Sequence, residues 1–421
     1  MVVFKHKSWL VSFVFTGMAL LCAVLIGFVP QFSWAVLSLA LLTLMFSSLL
    51  AGKYNDAGLA VNRMLVGALF IFSSFTKGVD PLGTKYKIVD YLSVYGMEWL
   101  NNAALVLAIV LILAEFIVGI CLFLNLLPRL SSVGAAILMA YFTIVTFFDA
   151  LLNLVPDCGC FGDAVKMSNW QTFYKNLVID SLLLPILINF KSLKNNRVTK
   201  IGQWLFALLF MAAFVYFEIF NIRHLPIIDF REWKVGKDMT PTEYDAGVIY
   251  LLYQNKETGE TQEFVSPNYP WNDSVWMSQW EFVSQRSENA SSSLSFSILD
   301  ADGNDFTNIL FDTENLYVFV APYLDELSEK DFKNCMMMAK KAEEEGFSYI
   351  WITATSPDAV DNLNEKYPMF YDVYFGDELE LKTMVRSNPG LLLIGNGVIQ
   401  GKWSKMTSSL RRRDLFRRKE A

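Results

Sequence analysis

The stretch ALVLAIVLILAEFIVGICLFLNL, residues 104–126, carries one charged side chain, Glu115, in an otherwise apolar run. As a helix it exceeds the roughly 20 residues needed to cross a hydrocarbon core of about 30 Å. Six more apolar stretches flank it, at about 9–29, 32–50, 60–76, 133–155, 174–190 and 201–220. The bilayer core has no water to satisfy open backbone groups, so the expectation is an α-helical membrane bundle of about seven transmembrane helices. The sixth stretch is short and carries Asp180, which makes it the weakest of the seven. The first follows Lys5 and Lys7 without a small-residue cleavage site before Pro30, and reads as an uncleaved signal anchor.

Composition agrees: of 421 residues 53% are hydrophobic and only 18% charged, which excludes disorder. The two histidines, His6 and His224, leave almost no material for a His-rich metal site or a serine-type triad. Five cysteines are too few for a disulfide scaffold but enough for one specific pair. The net charge of −7 conceals opposite halves. Residues 1–224 hold 15 basic and 10 acidic residues (+5), and residues 225–421 hold 20 and 32 (−12). The change of sign places a domain boundary near His224, and the acidic second half argues against nucleic acid as a partner.

Basic residues in the short loops set the orientation. With the N-terminus cytoplasmic, Lys5, Lys7, Lys53, Arg129, Lys191, Lys194, Arg197 and Lys200 lie inside, against Lys77, Lys85, Lys87 and Lys166 outside. Seven spans then deliver the acidic half to the extracytoplasmic side of a bacterial inner membrane. The basic tail 411–421 runs against this reading, but long translocated segments largely escape the charge rule.

Ionisable residues within the spans are costly enough to require partners. Arg63, Glu115, Asp149 and Asp180 are the ones expected. They read either as interhelical glue or as part of a proton or electron path. An amphipathic run from Ile88 to Leu100 is expected to lie in the outer interface.

Asp157-Cys158-Gly159-Cys160-Phe161-Gly162-Asp163 follows the fifth stretch and falls on the oxidising side in this topology. Two thiols separated by one glycine can close a small ring, which is easier to reduce than a relaxed bridge. Asp157 and Asp163 oppose a standing thiolate. A redox pair, a structural disulfide, soft-metal binding and free thiols in a tight turn are all open; two ligands without a nearby His make a closed zinc site the poorest fit. Asp149 and Lys77 are near enough in topology to tune the pair. Cys22 and Cys121, in apolar helices, read as buried hydrophobes.

The order Arg63-Met-Leu-Val-Gly-Ala-Leu-Phe, then Lys77-Gly-Val-Asp-Pro, Glu115 and Cys158-Gly-Cys-Phe-Gly resembles the DoxX/MauE group of small bacterial membrane proteins over about residues 60–190. The cysteine element resembles MauE more than the cysteine-free DoxX proteins. The resemblance implies a DoxX-like four-helix core associated with extracytoplasmic thiol and disulfide metabolism. Here two helices precede that core and one follows it.

Residues 225–291 form an aromatic, polar connector in which one hairpin can be placed, Gly247–Tyr253 with Glu260–Val265. From 292 to 410, strands at Leu316, Phe347 and Gly390 alternate with helices at Glu329–Glu345 and Pro357–Tyr367, an α/β pattern. This order resembles the thioredoxin-like fold of the TlpA and peroxiredoxin-like type. Asn388-Pro389-Gly-Leu-Leu-Leu-Ile matches its cis-proline and strand, so Pro389 is the candidate cis residue. Where that family has Trp-Cys-x-x-Cys, this chain has Ala321-Pro-Tyr323-Leu324-Asp-Glu-Leu327, with leucines in place of both redox cysteines. Cys335 lies two turns into the next helix and cannot replace them at that spacing.

The leading expectation is a membrane thiol-disulfide oxidoreductase, or maturation factor, whose Cys158 and Cys160 exchange with an extracytoplasmic protein client or redox partner. Tyr323, Leu324, Leu327 and Pro389 would form its partner-binding surface. No cofactor signature is present, and a quinone is the expected acceptor if electrons enter the membrane. The alternative is a non-catalytic scaffold or biogenesis factor whose thioredoxin-like domain binds a partner. A transporter, motivated by the intramembrane charges, ranks third.

Overall fold

A computed structural model describes residues 43, 56–155, 159–193, 196–240, 248–256, 258–265, 274–288, 296–366 and 372–405. The first two apolar stretches apart from Thr43, the basic tail, Cys22 and Cys158 lie outside the described residues. The chain divides into two units, Met1–Phe230 and Arg231–Ala421.

Unit one is helical. Its elements are α1 (Asp56–Val79), α2 (Pro81–Val94), a 3-10 segment (Glu98–Ala103) running into α3 (Ala104–Phe123), α4 (Pro128–Leu152), α5 (Asn169–Ile188) and α6 (Lys200–Arg223). Local chemistry sets the starts. Asp80 caps α2 by accepting from the Gly83 amide, with Pro81 in the first turn. Ser168 and Gln171 form a capping box on α5, and Thr199 caps α6. Among the described residues four helices are long and apolar enough to cross a membrane: Asp56–Val79, Glu98–Phe123, Pro128–Leu152 and Lys200–Arg223. The run expected at the interface, Ile88 to Leu100, covers the second half of the short α2 and the start of the 3-10 segment.

Helix α5 fails that test of composition for a physical reason. It lies inside the bundle, with 13 of its 20 residues buried. A helix shielded from lipid can carry Asn176 and Asp180 because a neighbouring helix satisfies them, and Ser181 because it donates to the Val178 carbonyl of its own helix. Thr143 of α4 donates to Asp180 at 2.8 Å, Asn176 to Thr146 at 3.0 Å, and Asn62 of α1 to the Leu182 carbonyl at 3.1 Å. Helices α4 and α5 run antiparallel along their full length. At one end Asn169 donates to the Val155 carbonyl, and at the other Arg129 donates to the Lys191 carbonyl.

Unit two contains two sheets. Strands β1 (Val248–Asn255), β2 (Thr261–Val265) and β3 (Trp280–Glu288) form an antiparallel sheet in the order β2-β1-β3, with a short helix α7 (Ser274–Gln279) before β3. The expected hairpin is β1 and β2; β3 adds the strand that the weak periodicity concealed. The second sheet follows a one-turn helix α8 (Ile309–Asp312). It comprises β4 (Leu316–Ala321), β5 (Ser348–Thr353), β6 (Val373–Phe375), β7 (Gly390–Gly395) and β8 (Val398–Ser404), in the order β6-β5-β4-β7-β8. Strands β4, β5 and β6 are parallel, and β7 is antiparallel to both β4 and β8. The two central strands β4 and β7 are buried throughout, which is why they read as continuous apolar runs. Helices α9 (Glu329–Glu344), α10 (Pro357–Lys366) and α11 (Glu378–Met384) complete the unit. Phe332, Cys335, Met338, Ala339 and Ala342 form the buried stripe of α9. The start of the β8 edge is closed by residues 236–239, through Gly236 to Ile399 and Met239 to Gly397 backbone bonds.

Candidate functional site

The polar centre of unit one is built by α1, α3 and the loop before α5. Ser73 and Lys77 stand one turn apart on α1 and share a face. Glu115 reaches them from α3 because the two helices approach at glycines. A Cβ on Gly119 would sit 2.9 Å from the Ile71 backbone nitrogen, and one on Gly67 would sit 2.8 Å from the Gly119 carbonyl. Small residues at a crossing allow this approach in a membrane bundle. Lys77 donates to Glu115 Oε1 at 2.6 Å, and both residues are buried.

The loop closes over this pair. Ser73 Oγ lies 2.9 Å from Glu115 Oε2 and 2.9 Å from the Cys160 carbonyl, so its single proton serves one acceptor at a time. Gly159 and Gly162 take left-handed conformations, at φ 60° and 54°, and a 2.9 Å backbone bond between them tightens the turn. Phe161 packs on Phe72 and lies beneath the Lys175 ammonium, 4.5 Å from the ring centre. Cys160 is half-buried, and together with Ser73, Lys77, Glu115, Phe142 and Asn176 it lines a cavity of about 30 Å³. That is about one water's share of liquid volume, far below the about 300 Å³ of a small-ligand pocket.

Of the residues expected in this region, Lys77, Glu115 and Cys160 come together. Asp149 does not line the cavity. Its carboxylate accepts from Tyr91 of α2 at 2.5 Å, and its backbone carbonyl accepts from Asn169. Asp180 is held by Thr143, also away from the cavity. Arg63 donates to Asn125, nearer the opposite end of α1 from Lys77. Glu218 of α6 was not among the expected residues. It is fully buried, and neither carboxylate oxygen has a hydrogen-bond partner among the described residues. The signal was available in the sequence, as the single charged residue between 201 and 220.

In unit two, Asn388–Pro389 is cis, and Asn388 donates to the Tyr323 carbonyl at 2.8 Å. Leu324 is wholly buried, with its amide held by Thr355 Oγ1 at 2.8 Å, and Leu327 is nearly buried. Tyr323 donates its phenol to Glu378 and lies beneath Lys382, which also pairs with Glu378. Burial, then the hydrogen bond to Glu378, holds this phenol above the ordinary tyrosine range. Burial and the Asp331 carboxylate push the Cys335 thiol up to about 12, which makes it an inert core group. Among the described residues no cluster of three or more His, Cys, Asp or Glu could hold a metal ion.

Apolar helices packed around a buried ion pair define unit one as a multi-pass helical membrane protein. Within it, residues 55–189 match the family model of the methylamine utilisation protein MauE, close to the 60–190 over which the sequence carries the resemblance. No curated protein and no solved structure matches the chain.

Proposed function

We propose that this protein carries out thiol–disulfide exchange with an extracytoplasmic protein client, through Cys158 and Cys160. The observation that carries the reading is the cradle around Cys160. Ser73 holds the Cys160 carbonyl, and Lys77 with Glu115 lines the cavity beside the residue. The thiolate is both the attacking and the leaving form in such exchange. A client thiolate attacks one sulfur of the Cys158–Cys160 disulfide, and the other sulfur departs as thiolate. The client's second thiol then resolves the mixed disulfide. Two electrons and two protons leave the client dithiol, which becomes a disulfide, and the pair becomes a dithiol.

The match to MauE supports this placement, and that family's name ties its members to methylamine utilisation. Helix α6 ends at the same end of the bundle as the cysteine loop: Asn221 donates to the Gly78 carbonyl, and Gly162 lies against Thr76. With the N-terminus cytoplasmic, that end is extracytoplasmic in the inner membrane. We read the α/β unit as thioredoxin-like, on its strand order and the cis Pro389, with Leu324 and Leu327 where a dithiol would stand. Its role is then to bind the client or redox partner rather than to exchange electrons.

The test replaces Cys158 and Cys160 together by serine in the full chain. Loss of exchange with a reduced, unfolded model protein, with the bundle still folded, is the expected result. Unaltered client thiol oxidation in the double variant would sink the reading. A stable stoichiometric complex with no turnover in the wild type would favour the scaffold.

A further inference from the structure

Beyond that reading, the opposite end of the bundle presents a groove whose chemistry is unlike the cysteine site. Helix α5 ends at Ile188, and a 3-10 turn, Phe190–Ser192, carries the chain aside. The gap left between this turn and the first turns of α4 is a groove of about 710 Å³. It is a wide, open depression on the bundle end rather than an enclosed cleft. Val133, Leu187, Ile188 and Phe190 supply its apolar wall, and Lys191 stands at its mouth. Arg129 donates to the Lys191 carbonyl at 3.4 Å, which brings a second cation beside the mouth.

Basic side chains outnumber acidic ones at this end, where Asp56 opens α1. Asn196 donates to the Leu124 carbonyl, so the 196–200 segment belongs to the same end and brings Arg197 and Lys200. The segments 124–133 and 188–202 contain no Asp or Glu. An apolar trough opening on a basic rim at a bundle end matches an acyl chain joined to an anionic headgroup. We propose that this groove binds an anionic phospholipid, with its acyl chain along Val133, Leu187 and Ile188 and its phosphate between Arg129 and Lys191. A zwitterionic lipid offers the same chain without the net charge, so charge is the discriminating feature.

The experiment reconstitutes the full chain in bilayers of phosphatidylglycerol and phosphatidylcholine in equal parts. Native mass spectrometry then counts the lipids retained. Phosphatidylglycerol should be retained over phosphatidylcholine, and the preference should fall on the order of tenfold or more when Arg129→Gln and Lys191→Gln are combined. Lys85→Gln with Lys87→Gln, on α2 towards the other end, should leave the preference intact. Equal retention of the two lipids, an undiminished preference in the groove variant, or an equal loss in the α2 variant would each overturn the proposal.

Discussion

Lys77 and Glu115 meet at 2.6 Å between two membrane helices, 5% and 1% exposed, and the Ser73 hydroxyl lies 2.9 Å from both Glu115 and the Cys160 carbonyl, donating to one at a time. Neither charge can reach water without separating the helices. The loop that carries Cys160 is therefore anchored to a pair that is itself fixed by the α1–α3 crossing. One partner alone would be an uncompensated buried charge.

Lys77→Met and Glu115→Gln should each destabilise unit one by about 3–5 kcal/mol, whereas replacing both together by apolar residues of similar volume should recover much of that loss. Thermal retention of folded protein in detergent, followed by size-exclusion, reads the difference. Additive losses in the double variant would contradict the pairing.

The glycine crossing is testable separately. A Cβ at Gly119 meets backbone at 2.9 Å, so Gly119→Ala should force the helices apart and cost about 1–3 kcal/mol. The displaced Glu115 should then disturb Ser73, whose hydroxyl meets the Cys160 carbonyl. Faster alkylation of Cys160 by a small maleimide would register that displacement, and an unchanged rate would contradict it.

In unit two the ordering of thiol reactivity follows from burial. Cys335, with its thiol pushed up to about 12, should resist alkylation near pH 8 in the folded protein and react only after unfolding. Leu324→Ala, at a fully buried position, should lower the stability of this unit by about 2–5 kcal/mol. Peptide-level mass spectrometry checks the first and a denaturant titration the second.

Glu378 gives a pH dependence with a definite sign. Burial works against its ionisation, but the Lys382 and Tyr323 hydrogen bonds prevail and hold its carboxyl below the ordinary glutamate range. Its stabilising contribution is therefore complete above the unfolded value of about 4.3 and is lost as pH falls through the lower folded value. Glu378→Gln should lower the thermal midpoint at pH 7, where the contribution is complete, and converge on the wild type as pH falls below about 4. A wild-type and variant pair with parallel thermal midpoints from pH 6 down to pH 3 would contradict it.

Much of this arrangement was legible in the sequence. Long apolar runs with isolated charges announced α1, α3, α4 and α6, and the buried strands β4 and β7 announced themselves by their unbroken apolar character. Helix α5 was harder to read, because a helix enclosed by protein carries Asp180 and Asn176 without a lipid-facing surface to betray it. The Lys77–Glu115 contact joins positions 38 apart, and no local pattern encodes it. Asp149 was expected beside the cysteines because it ends the neighbouring helix, yet Tyr91 from the short α2 takes its carboxylate. Strand β3 was hidden by an aromatic, polar sequence whose periodicity is weak.

The central claim, that Cys158 and Cys160 work as a redox pair, is tested most directly by acid-quenched thiol trapping in native membranes. Mass spectrometry reads both residues before and after a mild reductant. The account predicts a mixed population of dithiol and disulfide that shifts to dithiol with reductant and returns on its removal. A pair that stays fully oxidised under reductant, or one that is always reduced, would contradict it and leave Cys160 as part of a structural turn.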